Sequence, residues 1–117
     1  MDELMFPKKK KQKRTRGEKP LWKEANLLQG RRKECFVSGK RDNLQKHHIF
    51  GGPLRTMSDR NGFWVWLSAE WHNQATYSVH GRDGGELKEE LKRKCQEKYM
   101  EEGALESWME LVGKNYL

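Results

Sequence analysis

Hydrophobic positions follow two distinct periods along this chain of 117 residues. Phe63, Val65 and Leu67 alternate with Trp64 and Trp66, and a run so rich in aromatic and β-branched residues predicts a strand with these two sets on opposite faces. Further on, Leu87, Leu91, Cys95 and Tyr99 recur every four residues, the spacing of one buried helix face. The pairs Glu89/Arg93 and Glu90/Lys94 suit the exposed side of that helix, Asp83 and Glu86 have capping-box spacing at its start, and Gly103 is placed to end it. Leu105, Trp108, Met109 and Val112 predict one more amphipathic helix. Both helices, over residues 84–117, read as packing elements.

The first half is less regular. Leu21, Trp22, Leu27 and Leu28 are spaced for a short helix that stops at Gly30. Cys35 to Asn43 reads as an extended piece entering a turn rich in Gly, Asp and Asn. From Leu44 a strand runs towards His48 and Ile49, where Gly51-Gly52-Pro53 breaks it and a polar loop continues to Asn61-Gly62. After the Phe63–Leu67 strand, Ser68 is a suitable N-cap, with Ala69, Glu70 and Trp71 in the first turn, so His72 stands near a helix N-terminus. The order is strand, loop, strand, helix, an α+β arrangement in one domain over residues 21–117 with its motif core at 44–80.

Composition changes this picture at the N-terminus. Apolar residues make up 34% and charged residues 35%, so part of the chain has little to bury. Residues 1–60 carry 17 Lys and Arg against 7 Asp and Glu, a balance of +10, whereas residues 61–117 stand at −3. Lys8, Lys9, Lys10, Lys11, Lys13, Arg14 and Arg16 fall within residues 1–20, expected to be a disordered basic arm that lies along phosphates; a nuclear-import signal or a solubility tail would look the same. Nucleic acid is the default partner of such a charge distribution. No apolar run reaches membrane-spanning length, the start lacks the apolar segment of a signal peptide, and two cysteines are too few for a disulfide framework. These features point to a cytoplasmic setting.

All four histidines, His47, His48, His72 and His80, lie within 34 consecutive residues. Imidazole is the commonest metal ligand and titrates near neutrality, so the clustering points to metal or proton chemistry. The His47-His48-Ile49 block at a strand end, followed by a loop, a second strand and Trp71-His72-Asn73, resembles the HNH branch of the His-Me finger (ββα-metal) endonucleases. Cys35-Phe36-Val37-Ser38-Gly39, His47 to Gly52 and Val79-His80-Gly81 are similar, more narrowly, to small HNH proteins of phages and prophages. The resemblance covers roughly residues 33–100.

The resemblance implies a ββα-metal core and a metal-dependent endonuclease that hydrolyses DNA phosphodiesters to 5′-phosphate and 3′-hydroxyl ends. It puts His48 in the general-base position and His47 and His72 in ligand positions for one divalent ion, Mg²⁺ or Mn²⁺ ahead of Ni²⁺ or Zn²⁺. Three readings of His80 stay open: a third ligand brought back by a turn, a phosphate contact, or a surface residue. Arg55 and Arg60, with Arg82 as another choice, are candidates for a phosphate contact. The phage association extends to other phage DNA-processing proteins and to the cytoplasm of a bacterial host.

Two departures from the pattern are visible. Phe63 stands where the family has its loop-pinning Asn, and Asn61 is the nearest substitute. Of the two Cys-x-x-Cys pairs that hold a structural zinc in many such domains, only Cys35 is present; Ser38, Ser68 and Trp71 hold the other places, so no four-cysteine zinc site is expected. Packing by Trp64, Trp66 and Trp71 is the expected substitute. Alternative classes are a nucleic-acid-binding module without catalysis and a small zinc domain using Cys35 with the histidines.

Overall fold

Two strands, β1 (Leu44–His48) and β2 (Trp64–Ser68), pair antiparallel in the computed structural model, in a register running from Leu44 opposite Ser68 to His48 opposite Trp64. The structure describes residues 22–117. The expected arm, with Lys8, Lys9, Lys10, Lys11, Lys13 and Arg14, lies outside the described residues, as does Leu21. Helices α1 (Arg55–Arg60), α2 (Gly85–Tyr99) and α3 (Leu105–Val112) complete a small α+β fold. No helix among the described residues is long and apolar enough to cross a membrane.

Alternation on β2 sorts its side chains as the period of two requires. Phe63, Val65 and Leu67 join Ile49 and Phe50 in the core, against Leu91 and Cys95 of α2 and Trp108 and Val112 of α3. Aromatic edges meet there, with Phe50 and Phe63 at 5.7 and 5.5 Å from the Trp108 ring. The Trp108 indole N–H is satisfied by the Lys114 carbonyl at 2.8 Å, and buried Gln96 bonds Asn115 and the Tyr116 backbone, so the C-terminal segment closes over α2 and α3.

The opposite face of β2 is covered as well. Trp64 is fully buried, with Trp66 edge-on at 5.1 Å and the Lys46 ammonium 4.2 Å from its ring centre. Along the free edge of β2, Leu27 N–H donates to the Gly62 carbonyl, Gln29 Oε1 accepts from Trp66 N–H at 2.9 Å, and Phe36 N–H donates to the Trp66 carbonyl. Residues 22–36 thus shield an edge that would otherwise invite pairing with another chain. At Gly62, with φ +73°, an added Cβ would come 2.5 Å from the Trp22 ring.

Several expected elements take another form. No helix forms over Leu27, Leu28 and Gly30: Asn26 Oδ1 accepts from Gln29 N–H at 2.7 Å, a side-chain bond that competes with helical pairing, and the chain turns there. Cys35 to Gly39 is a turn rather than an extended piece, closed by Gly39 N–H on the Cys35 carbonyl. The expected polar loop after Gly51 contains a helical turn, Gly52–Leu54, leading into α1, with Pro53 pre-set for a helix start. Ser68 is not an N-cap but the last residue of β2; Ala69 precedes a π-helical turn, Glu70–Gln74. Gly84, without a side-chain cap, starts α2 in place of the Asp83/Glu86 box, and the helix stops at Tyr99, ahead of Gly103. On its surface Glu90 pairs with Lys94 and Arg93, and Glu89 with Lys92 instead of Arg93. On α3 only Trp108 and Val112 of the expected stripe are buried, while Leu105 and Met109 face outward.

Candidate metal centre

His47 and His48 are neighbours on β1, so their side chains leave opposite faces of the sheet. His47 shares a face with Val65, its partner across the sheet, and is buried. His72 sits in the π-helical turn that follows β2 directly, and the chain then folds back so that Val79 N–H bonds the Trp71 carbonyl and His80 N–H the His72 carbonyl at 3.1 Å. That return brings His80 to the cluster despite a sequence spacing of eight. The ring centroids lie 5.5 Å apart for His47/His72, 5.1 Å for His47/His80 and 4.7 Å for His72/His80. One nitrogen from each of the three lies within 4.8 Å of the others, so the trio could hold a metal ion. Ligand nitrogens around one ion stand about 3.3 Å apart for bonds of about 2.1 Å, so the three rings would draw closer on an ion.

Electrostatics suit this role. Burial, then the neighbouring imidazoles of His80, His72 and His48 and the Lys88 ammonium, hold His47 down at about 3. Burial and His80 lower His72, and burial and Lys88 lower His80. All three rings are therefore neutral at pH 7 and keep a lone pair for a ligand bond. Gln45, on the same face of β1 as His47, meets His72 Nδ1 through Oε1 at 2.5 Å. With Nδ1–H donating to that oxygen, Nε2 of His72 is left as the ligating atom.

His48 belongs to a second group of side chains. Its Nε2–H faces Asp59 Oδ1 at 3.0 Å, and the Lys46 ammonium is 3.9 Å from the same oxygen. Asp59 comes from α1, which also exposes Arg55 and Arg60; neither arginine has an ion pair among the described residues. Arg82 is exposed beside Asp83 at 4.0 Å. Asn61 caps α1, its Nδ2 donating to the Met57 carbonyl at 2.9 Å. The tie between the two ends of the β1–β2 connection is made by Ser58: its hydroxyl donates to the Phe63 carbonyl at 2.5 Å and accepts from Phe50 N–H at 3.2 Å, while Phe63 N–H returns to the Ser58 carbonyl. Phe63 itself is a core residue, 1% exposed.

Sequence reasoning passed over Gln45, Asp59 and Ser58. The first two are polar residues on predicted surface, and only their partners' positions single them out. Leu54, Met57 and Ser58, at i, i+3 and i+4, are a weak helical signal that would have located the third.

Cys35 takes no part in the histidine cluster. Burial would raise its thiol, but donors from Ser38 and Ser68 outweigh that and bring it from 9.0 to about 7. Ser38 N–H donates to the sulfur at 3.4 Å, and the Ser68 hydroxyl, buried without a well-formed hydrogen bond, lies on the same sulfur. Cysteine and two serines from the turn and the end of β2 thus pack together, and the alternative of a zinc site joining Cys35 to the histidines does not fit this geometry. Burial pushes the Cys95 thiol up, as befits an inert core residue. Compared with protein-family models, curated proteins and solved structures, the chain matches none.

Proposed function

We propose that this chain is a metal-dependent endonuclease of DNA built on a ββα-metal core. The observation that carries the reading is the convergence of His47, His72 and His80 beside β1, with His48 as the next residue on the strand and paired to a carboxylate. A bound divalent ion would neutralise the scissile phosphate and stabilise the departing 3′ oxygen.

The chain's own groups supply the rest. His47, His72 and His80 would hold the ion as neutral imidazoles, with Gln45 fixing the His72 ring. Three imidazoles move the preference away from Mg²⁺, which favours oxygen ligands, towards Mn²⁺, Ni²⁺ or Zn²⁺. Asp59 accepts a hydrogen bond from His48 Nε2–H, which leaves the Nδ1 lone pair to take a proton from the attacking water. The water oxygen bonds to phosphorus as the P–O3′ bond breaks, and the departing 3′ oxygen takes a proton from solvent, giving 5′-phosphate and 3′-hydroxyl ends. Arg55 and Arg60 are exposed on α1, on the connection that also carries Asp59, and are placed to contact the backbone phosphates.

The test is cleavage of supercoiled plasmid with Mn²⁺, Mg²⁺, Ni²⁺ and Zn²⁺, run beside His48→Ala. Metal-dependent nicking or linearisation that the variant loses is expected. Plasmid bound but left intact with every ion would make the chain a binding module.

A further inference from the structure

Beside Gln45, whose side chain also meets His72, the surface opens into a polar cleft of about 670 Å³ between the start of β1, the end of β2 and the π-helical turn. Lys40, Asp42, Asn43, Gln45, Glu70 and Gln74 supply charged or hydrogen-bonding groups to it, beside the apolar Leu44 and Ala69. Its volume is that of a small-molecule or nucleotide site, while its walls are more polar than those of most such sites.

The chemistry of the lining selects its occupant. Lys40 offsets one of the two carboxylates in the cleft, and the other repels a phosphate while accepting hydrogen bonds from uncharged donors. Glu70 is held by the Lys40 ammonium at 3.9 Å and by the Tyr77 hydroxyl, whereas Asp42 has no side-chain partner among the described residues. The three amides both donate and accept. Amino and imino groups on the edges of adenine, cytosine and guanine are complementary to this set. Beside the cleft, Tyr77 is 44% exposed, with its ring 4.6 Å from Trp71 and its hydroxyl on Glu70, so an aromatic face is presented to solvent where a base could stack. Asn43 holds a left-handed backbone, φ 53°, which asparagine tolerates in a turn, and its carbonyl is fixed by Ala69 N–H.

We propose that this cleft takes an unpaired nucleobase of the DNA strand, one or two nucleotides from the phosphate at the histidine cluster, stacked on Tyr77 and hydrogen-bonded to Asp42 and the neighbouring amides. In a duplex these base edges are already paired, so the cleft selects single strands, flaps and frayed junctions. The placement of the phosphate rests on the nuclease reading; the base recognition does not. Because Gln45 borders the cleft and also orients His72, a base in the cleft is one hydrogen bond from the metal ligands.

The experiment uses the full chain in EDTA, at a salt concentration high enough to weaken backbone contacts, with oligonucleotides carrying 2-aminopurine in a single strand, a flap or a fully paired duplex. Quenching of the single-strand and flap probes is expected at concentrations about tenfold below those needed for the duplex, and Tyr77→Ala and Asp42→Ala should each weaken it about tenfold. Circular dichroism of both variants checks that the fold persists. Equal response to paired and unpaired probes, or unchanged binding by both folded variants, overturns the proposal. Metal-dependent cleavage indifferent to pairing would sink the cleft assignment and leave the nuclease reading intact. Selective binding without cleavage by any ion would do the reverse.

Discussion

Asp59 accepts a hydrogen bond from His48 Nε2 at 3.0 Å across eleven residues of sequence, and so joins α1 to the end of β1. The pairing fixes which ring nitrogen is free. On the proposed mechanism His48→Ala should lower turnover by about 10²–10⁴-fold with DNA affinity kept. Asp59→Ala should lower it by about tenfold, in kcat rather than KM, as loss of an orienting partner does. Nitrogen NMR of His48 adds a reading independent of activity: the parent ring should be protonated at Nε2, and Asp59→Ala should mix the tautomers. An unmixed ring with undiminished kcat would remove Asp59 from the site.

Metal affinity should rank the imidazoles and their support. In calorimetric titrations with Mn²⁺ or Ni²⁺, alanine at His47, His72 or His80 should each remove most binding, because all three rings meet at one point. Gln45→Ala should cost about 10–100-fold through loss of the His72 tautomer lock. If His80→Ala binds like the parent, the centre has two protein ligands and Mg²⁺ returns as the favoured ion.

Acid should destabilise the metal-free protein through His47. Above pH 6.5 the ring is neutral in folded and unfolded chains alike; below it the unfolded chain binds a proton that the folded site refuses until about pH 3. Stability is therefore lost as pH falls between these values, and the lowered His72 and His80 act in the same direction. Urea unfolding at a series of pH values should give a shallower dependence for His47→Leu than for the parent. Equal slopes would mean that His47 titrates normally in the fold.

Ser58 should matter more than a single hydroxyl suggests. Ser58→Ala strands the Phe50 N–H in the interior, at a cost of about 1–3 kcal/mol, while the Phe63 carbonyl keeps its bond from Ile49 N–H. Asn61→Ala, which loses one bond at the end of α1, should cost less. Denaturant midpoints of the two variants settle the order.

The basic arm can be tested from charge alone. Deleting residues 1–16 removes seven Lys and Arg, so DNA affinity should fall and its dependence on salt become shallower, while thermal stability stays put. An unchanged salt slope would mean that the arm does not touch phosphate.

What the sequence determined by itself is what local periodicity can carry. The alternation from Phe63 to Leu67 placed β2 within one residue, and the i, i+4 stripe from Leu87 to Tyr99 placed α2, because strand and helix geometry are written in neighbouring positions. The adjacency of His47 and His48 likewise required them to leave opposite faces of a strand. Tertiary structure decided the rest, for a physical reason in each case. His80 reaches the cluster only because Val79 and His80 bond back to the carbonyls of Trp71 and His72, a return that no spacing rule contains. Ser68 has the chemistry of an N-cap but is captured by the pairing of β1 with β2. Trp22, Leu27 and Leu28 carry helical spacing, yet this segment lies along the free edge of β2, where Gln29 satisfies Trp66 N–H across 37 residues. Gln45, Asp59 and Ser58 are ordinary polar residues in the sequence, and each acquires its role only through a partner that folding brings within hydrogen-bond distance.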